Sequence, residues 1–343
     1  MNTHVTRIQR STVEQTTRND TLTALECIRV GHAVLPDAPS GCTVILPEGG
    51  ATAGVDVRGG APGTCGTDTL NPLNLVDRVH GLFFSGGSAF GLSVAEGVKR
   101  FLRERRIGFD SGHGIIPIVC GAMIFDLGLN KTESHPDAQL GYEACCNVSH
   151  EPVAEGSVGA GTGATVGKLY GVERGMKGGL GNACIVAPTG VMVGALMVVN
   201  AFGNIVDPAL GRTIAGCREN PQSPTILEAR SEMLRLMRLR GFPDGQHTVV
   251  GAVATNVRLN KTQLTKVAQM AHDGLARTID PAHTLYDGDT IFALSCGKLE
   301  DVEVTIVGAL AAQATAQAVL RAVRQARSIG GLPAHMDLMR EHK

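Results

Sequence analysis

The tripeptide Asp287-Gly288-Asp289 places two carboxylates close together, directly before a β-branched segment that is typical of a strand. On spacing alone a turn is the simpler interpretation, because Asp and Gly are favoured turn residues. The same pair could also orient a cation in an active site. Composition leaves both interpretations open.

Asn200 and Lys168 are polar residues beside apolar or glycine-rich segments, so each needs an explanation. Asn200 ends the apolar run GALMVVN, where a buried carboxamide needs a hydrogen-bond partner. It either caps the following turn, which is the simpler interpretation, or donates its amide to a reacting oxygen. Lys168 follows the glycine-rich GTGATVG, but Thr162 and Leu169 occupy positions where a phosphate loop requires Gly and Ser or Thr. Lys168 is therefore either an ordinary solvated lysine or part of another kind of site.

Other motifs give weaker signals. The stretch GGSAFG (86–91) could bind an anion at a helix N-terminus, but it lacks the acidic partner of a dinucleotide site, so a tight turn is the better interpretation. The eleven histidines include no H-E-x-x-H pattern. Cys145 and Cys146 are adjacent in a predicted helix and so face different directions. We predict no metal site and no cofactor.

These side chains must be positioned by sheets and helices. Antiparallel strands joined by tight turns are predicted over 42–60, and a strand, glycine turn and helix over 77–108, with Phe90, Val94, Val98 and Phe101 on one helix face. Residues 218–246 should hold one amphipathic helix in an exposed linker. Further elements are predicted as adjacent strands within 182–207, a helix opening near Pro136, strands over 248–257 and 289–297, and helices over 261–279 and 307–329. Grouped runs of this kind favour stacked sheets flanked by helices.

The composition excludes several classes of protein. Lys plus Arg (31) nearly balances Asp plus Glu (32), so no field of one sign is available to bind nucleic acid or an anionic membrane. Residues 1–20 are polar and are expected to form a loose arm. With no signal-like segment and no apolar run of membrane-spanning length, we expect a cytoplasmic protein. The nine cysteines form no C-x-x-C pair, and we expect them to be reduced and mostly buried.

Several unusual segments, taken in order, resemble the DmpA-type L-aminopeptidase/D-esterase family over roughly residues 22–325. They are DVRGGAPGTCGTD, VDRVHGLFFSGGSAFGL, AMIFDLG, GAGTGATVGKLYGVERGMKGG, MVVNAFGNIVD, HTVVGAVATN and AQMAHDGLARTIDPAHTLYDGDTIFAL. That family includes β-peptidyl aminopeptidases and the hydrolase of 6-aminohexanoate oligomers, made as inert precursors that are cut before a Ser or Thr. The resemblance implies one catalytic domain (1–343) with an α+β fold, a four-layer αββα sandwich, cut into an α chain (1–247) and a β chain (248–343).

The resemblance also implies roles for individual residues. Thr248 matches the nucleophile that becomes the new N-terminus, and its free α-amine would act as the base for its own hydroxyl. Lys168 matches the lysine that supports the nucleophile, and Asn200 the carboxamide that donates to the oxyanion. Asp287 and Asp289 match an acidic pair expected to hold the α-amine and Lys168 in place.

Two positions depart from the family pattern. His247 stands before the nucleophile, where members often carry Asn, and it could slow or alter self-cleavage. Phe125 stands where some members carry Tyr, so a phenol that could bind substrate is missing.

The expected activity is hydrolysis of short peptides or amino-acid amides, by a homo-oligomer of αβ units such as a tetramer. The alternatives are an acyltransferase with the same threonine nucleophile, or a catalytically silent binding protein of the same fold. The sequence does not select among L-, D-, β-peptide and nylon-type amide substrates.

Overall fold

The computed structural model describes residues 19–129, 132–236 and 247–340. The strands, in chain order, are β1 (Ile28–Val34), β2 (Gly41–Pro47), β3 (Thr52–Val57), β4 (Thr64–Cys65), β5 (Gly81–Ser85), β6 (Phe109–Asp110), β7 (Ile115–Ile116), β8 (Val119–Met123), β9 (Thr165–Val166), β10 (Met176–Lys177), β11 (Gly179–Val186), β12 (Met192–Asn200), β13 (Asn204–Asp207), β14 (Arg212–Ala215), β15 (Thr248–Val257), β16 (Ile279–Asp280) and β17 (Thr290–Leu299). The α-helices are α1 (Val94–Glu104), α2 (Ala138–Cys146), α3 (Ala229–Met233), α4 (Lys261–Thr278), α5 (Val304–Arg324) and α6 (His335–Arg340).

Two five-stranded sheets form the centre of the molecule. The first has the order β1-β2-β5-β8-β4 and the second the order β11-β12-β15-β17-β3. In each sheet one central pair is parallel, β5 with β8 and β15 with β17, and the other pairs are antiparallel. Apolar side chains from both sheets share one core, in which the ring centroids of Phe84 and Phe292 lie 6.1 Å apart.

Helices cover the outer face of each sheet. Helices α1 and α2 pack on the first sheet, and α4 and α5 pack on the second. The molecule therefore has the predicted α+β, four-layer αββα architecture. The predicted helix near Pro136 is α2, which begins after Asp137, whose carboxylate accepts a hydrogen bond from the Leu140 N–H.

Strand β15 is the central strand of the second sheet, and its sequence explains that position. Its run TVVGAVATNV is rich in β-branched and small residues and is buried on both faces. It pairs antiparallel with β12 and parallel with β17. The strand begins at Thr248, so this residue lies at the end of the sheet where β12 also ends.

Helix α5 is long and apolar enough to cross a membrane by length and composition, which we did not expect from the sequence. Its contacts account for that composition, because 56% of its most apolar window is buried in the protein. Small residues allow α4 and α5 to approach closely: a Cβ on Gly274 would lie 2.4 Å from the Ala312 carbonyl oxygen. The apolar character of α5 is therefore that of a core helix.

Two local predictions are wrong. The strands predicted as one antiparallel unit over 42–60 are β2 and β3, which belong to different sheets. Phe90 lies in a 3₁₀ turn before α1, is 60% exposed and stacks on His135. Hydrophobic periodicity and turn residues predicted the strands over 42–60 and the helix after Phe90. They did not reveal that the two strands belong to different sheets, or at which residue the helix begins.

The remaining expectations are met in part. Of the predicted helix in 218–246, the described part contains only α3, and residues 237–246 lie outside the described residues. Most of the expected N-terminal arm, residues 1–18, lies outside them as well. The expectation that all cysteines are reduced is wrong for one pair: Cys27 and Cys296 form a disulfide across 269 residues of sequence.

Candidate active site

Thr248, the first residue of β15, is only 2% exposed. Its hydroxyl group contacts the carbonyl oxygen of His247, the residue before it. The Gly288 N–H donates a hydrogen bond to the same oxygen over 3.2 Å. A buried hydroxyl therefore lies against the carbonyl group of its own preceding peptide bond.

Asn200 lies beside Thr248 on the neighbouring strand, because the two residues are paired in the register of β12 and β15. The Asn200 Oδ1 accepts hydrogen bonds from Lys168 Nζ at 2.8 Å and from the Thr165 N–H at 3.0 Å. Its Nδ2 donates to the Phe125 carbonyl oxygen at 3.0 Å. The carboxamide thus connects separate segments and is fixed in one orientation, which goes beyond capping a turn.

Lys168 is buried, so the interpretation of a solvated lysine is wrong. Besides the Asn200 side chain, its amine donates to the Asn200 carbonyl oxygen at 3.1 Å. Burial lowers the pKa of this amine well below its usual value; Asp287 opposes the shift and the buried Lys177 adds to it. A neutral amine at Lys168 is therefore available at a lower pH than for an exposed lysine.

Asp287 is 1% exposed, and its carboxylate accepts three hydrogen bonds. They come from the Phe202 N–H at 3.2 Å, the Thr284 N–H at 3.2 Å and the Thr284 hydroxyl at 2.5 Å. Burial, and then the negative charge of Asp289, raises the pKa of the Asp287 carboxyl to about 7. This carboxyl consequently changes its charge near neutral pH.

Asp289 connects the acidic pair to the nucleophile strand. Its Oδ1 accepts a hydrogen bond from the N–H of Val249, the residue after Thr248, at 2.8 Å. Its Oδ2 lies 3.1 Å from the His283 N–H and 2.8 Å from His283 Nδ1. Asp287 and Asp289 are thus buried site residues, and the interpretation of an ordinary surface turn is wrong.

The backbone of residues 58–61 supports the loop that carries the two aspartates. The N–H groups of Arg58 and Gly59 donate to the Asp289 carbonyl oxygen at 2.9 and 3.2 Å, and the Ala61 N–H donates to the Asp287 carbonyl oxygen at 2.8 Å. A Cβ on Gly59 would lie 2.3 Å from the Asp287 oxygen, so only glycine permits this approach. The loop is therefore held rigidly against β15.

The ring of His247 is buried beside an aromatic side chain. It is 3% exposed, and its centroid is 4.9 Å from that of the Phe202 ring in an edge-on arrangement. Burial, and then the charge of Lys168, lowers the pKa of His247 to about 2, so its imidazole is neutral. Within the described residues, its Nδ1 has no hydrogen-bond partner, and a buried polar atom in that state costs about 1–3 kcal/mol.

The structure brings Thr248, Lys168, Asn200, Asp287 and Asp289 into one buried cluster, together with His247. Phe125 contributes its backbone, as the acceptor for Asn200, while its side chain is half-buried. In the part of the chain that the structure describes, no group of three or more His, Cys, Asp or Glu side chains could hold a metal ion.

Sequence reasoning missed two members of the cluster, His283 and Gly288. His283 contacts Asp289 from a left-handed backbone conformation, with φ of 56°. Nothing in the residue spacing indicates that conformation. Gly288 acts through its backbone N–H, which a motif made of side chains does not reveal.

Comparisons with known proteins identify the family of this chain. Residues 20–336 match the model of peptidase family S58. An uncharacterized aminopeptidase of Mycobacterium bovis is 40% identical over 346 residues, covering 93% of this chain and 98% of the relative. A 6-aminohexanoate-oligomer endohydrolase of Kocuria sp. is 31% identical over 333 residues, covering 92% of this chain and 88% of the relative.

A solved structure shows the same fold. The L-aminopeptidase D-Ala-esterase/amidase from Ochrobactrum anthropi, described as a new variant of the Ntn-hydrolase fold, superposes with a TM-score of 0.69. The match covers 94% of each chain at 20% identity. This chain therefore has the fold of that structure.

Proposed function

The chain belongs to peptidase family S58, and we propose that it is an aminopeptidase or amidase that generates its own nucleophile by breaking the peptide bond before Thr248. It is a peptidase or amidohydrolase with the N-terminal-nucleophile fold. The observation that carries the self-processing step is the contact between the buried Thr248 hydroxyl and the His247 carbonyl oxygen.

Self-cleavage follows from this contact in two steps. The Thr248 Oγ1 adds to the carbonyl carbon of His247, the C–N bond breaks, and the hydroxyl proton passes to the departing Thr248 nitrogen, leaving an ester. Water then hydrolyses the ester, giving a carboxylate on His247 and restoring the hydroxyl of Thr248. Cleavage also allows the His247 ring to leave its buried position, which relieves the cost of an Nδ1 that has no partner among the described residues.

The free α-amine of Thr248 supplies the base for substrate turnover. An α-amino group titrates near pH 8, so about a tenth of it is neutral at pH 7 and can accept the hydroxyl proton. Lys168 and Asn200 are already joined by hydrogen bonds beside the nucleophile. In this mechanism Asn200 donates to the substrate oxyanion, and the carboxylates of Asp287 and Asp289 fix the amine and Lys168.

The substrates we propose are short peptides or amino-acid amides with a free amino end. Such a substrate is small and carries one positive charge, which the buried carboxylates of the site suit better than an anionic group. β-Peptides and nylon-type oligomers belong to the same chemical class of amide. Assays with amino-acid p-nitroanilides, β-alanyl peptides and 6-aminohexanoate oligomers distinguish among them.

We also propose that the enzyme is a cytoplasmic homo-oligomer of αβ units, in which the Cys27–Cys296 disulfide is an exception to the reduced state usual in that compartment. Large apolar side chains are exposed at Leu73 (93%), Leu75 (91%) and Phe109 (56%), as at many subunit interfaces. Analytical ultracentrifugation of the processed protein tests the assembly. A monomer at micromolar concentration would contradict it.

The decisive comparison for self-cleavage uses three chains. The parent and Thr248→Ser should each give two fragments on reducing, denaturing gels, because both keep a hydroxyl at the junction. Thr248→Ala should remain intact and inactive. If Thr248→Ala is cut at the same bond, an external protease makes the cut and the proposal fails.

A further inference from the structure

The carbonyl oxygen of His247 has two contacts. The Thr248 hydroxyl lies against it, and the Gly288 N–H donates to it over 3.2 Å. A β-bridge between His247 and Asp287 holds the two segments side by side. The carbonyl of the bond proposed to break therefore already has a backbone donor.

We infer that the Gly288 N–H is the oxyanion donor of self-cleavage, an inference that rests on the proposed function. When Thr248 Oγ1 bonds to the His247 carbon, the carbonyl π electrons move onto the oxygen that this N–H faces. The electron pair on the oxygen then re-forms the carbonyl double bond as the C–N bond breaks, and the Thr248 nitrogen takes the hydroxyl proton. A donor aimed at a developing oxyanion is worth about 10²–10³ in rate.

The peptide group that carries this N–H is anchored at its other end. The Ala61 N–H donates to the Asp287 carbonyl oxygen at 2.8 Å, so the Asp287-Gly288 peptide accepts a hydrogen bond at one end and donates at the other. Hydrogen bonds in such a chain polarise one another. The arrangement strengthens the donor and fixes its direction before the reaction begins.

The two aspartates beside Gly288 limit its movement further. Asp287 is bonded to the Phe202 N–H and Asp289 to the Val249 N–H. A Cβ on Gly288 would lie 2.7 Å from the Ala61 carbonyl oxygen and 3.0 Å from Thr248 Oγ1. The absence of a side chain therefore lets the backbone amide come close to the nucleophile.

Replacing one backbone amide by an ester tests this role without adding a side chain. Cell-free translation with a suppressor tRNA carrying glycolic acid at position 288 removes the N–H and also weakens the Asp287 carbonyl oxygen as acceptor for the Ala61 N–H, an effect that the ester at position 61 measures separately. Glycolic acid at Gly114, where a Cβ would meet nothing within 4 Å, is the matched control. Lactic acid at position 61 removes the N–H that polarises the Asp287-Gly288 peptide.

The time course of fragment formation, followed by mass spectrometry under reducing conditions, gives the result. We expect the ester at 288 to cleave about 10²–10³ times more slowly than the parent, the ester at 61 to be slowed several-fold, and the ester at 114 to match the parent. Thermal melting of each ester in a Thr248→Ala background shows whether the fold is retained. If the ester at 288 unfolds the chain, the ester at 61 decides alone.

The outcomes separate the inference from the proposed function. If the parent cleaves and the folded ester at 288 cleaves within about threefold of it, Gly288 is not the oxyanion donor, although self-cleavage stands. Cleavage at the parent rate by the ester at 61, where that variant decides, overturns the inference in the same way. If the parent never cleaves, both the proposed function and this inference fail.

Discussion

Gly59 offers a test of how tightly the aspartate loop must be held. Its missing Cβ would lie 2.3 Å from both the Asp287 carbonyl oxygen and the Asp289 N–H nitrogen, both of which are backbone atoms. A real Cβ essentially never comes closer than 3.0 Å, so Gly59→Ala must displace one segment by about 0.7 Å. Misplacement of catalytic groups by about 1 Å costs on the order of 10²-fold in rate.

We therefore expect Gly59→Ala to slow both self-cleavage and p-nitroanilide hydrolysis by roughly 30- to 100-fold. The cost in unfolding free energy should be about 1–3 kcal/mol, typical of overpacking. Gly114→Ala is the control, because its Cβ meets nothing within 4 Å. Rates are measured from fragment formation and from initial velocities, and folding from thermal melts.

A folded Gly59→Ala protein with rates within about threefold of the parent would refute the reasoning. It would mean that residues 58–61 and the aspartate loop can separate without affecting Thr248. If Gly59→Ala fails to fold, the close approach of Gly59 to the aspartate loop has a purely structural role.

Three other predictions concern the surroundings of the nucleophile. Because burial raises the Asp287 pKa from 3.8 to about 7, the folded state keeps this proton more tightly, and the resulting stability is lost as pH rises through 7. The unfolding free energy of the uncleaved chain, measured with urea, should therefore fall between pH 5 and pH 8 by about 2–3 kcal/mol more than that of Asp287→Asn. Equal decreases would contradict this. In the His283→Asn variant, Asn can adopt the left-handed backbone but does not make the ring contact with Asp289. Turnover should therefore fall roughly 10- to 100-fold, with little change in the melting temperature. Unchanged turnover would count against that contact. Since Cys27 and Cys296 lie on opposite sides of the proposed cut, the two fragments should separate on denaturing gels only after reduction, whereas Cys27→Ser fragments separate without it; parent fragments that part without reductant would contradict the link.

The sequence identified the fold well where one residue pattern has one outcome. The run TVVGAVATNV is rich in β-branched and small residues and forms the buried strand β15, and α4 and α5 follow their helical spacing. It failed where partners are distant in sequence. Strands β2 and β3 are joined by a tight turn around Gly49 but enter different sheets, and local periodicity contains no information about that choice.

The site divides in the same way. The sequence alone singled out four candidate site residues, Asn200, Lys168, Asp287 and Asp289. Their residue types also allowed ordinary structural roles, and Thr248 was identified only through the family resemblance. Burial resolves these ambiguities, because a solvated lysine or a surface turn would not be 4% or 1% exposed. Contacts made by backbone groups, such as the N–H of Gly288, follow from the fold and leave no residue signature.

The most direct test of self-processing is the covalent state of the turnover-competent protein. Mass spectrometry of the purified, reduced and denatured enzyme, with chemical labelling of free α-amines, should show a fragment that begins with a labelled Thr248 and a second that ends at His247. Activity should rise in proportion to the labelled fraction. A continuous chain through this junction with full activity would contradict the account.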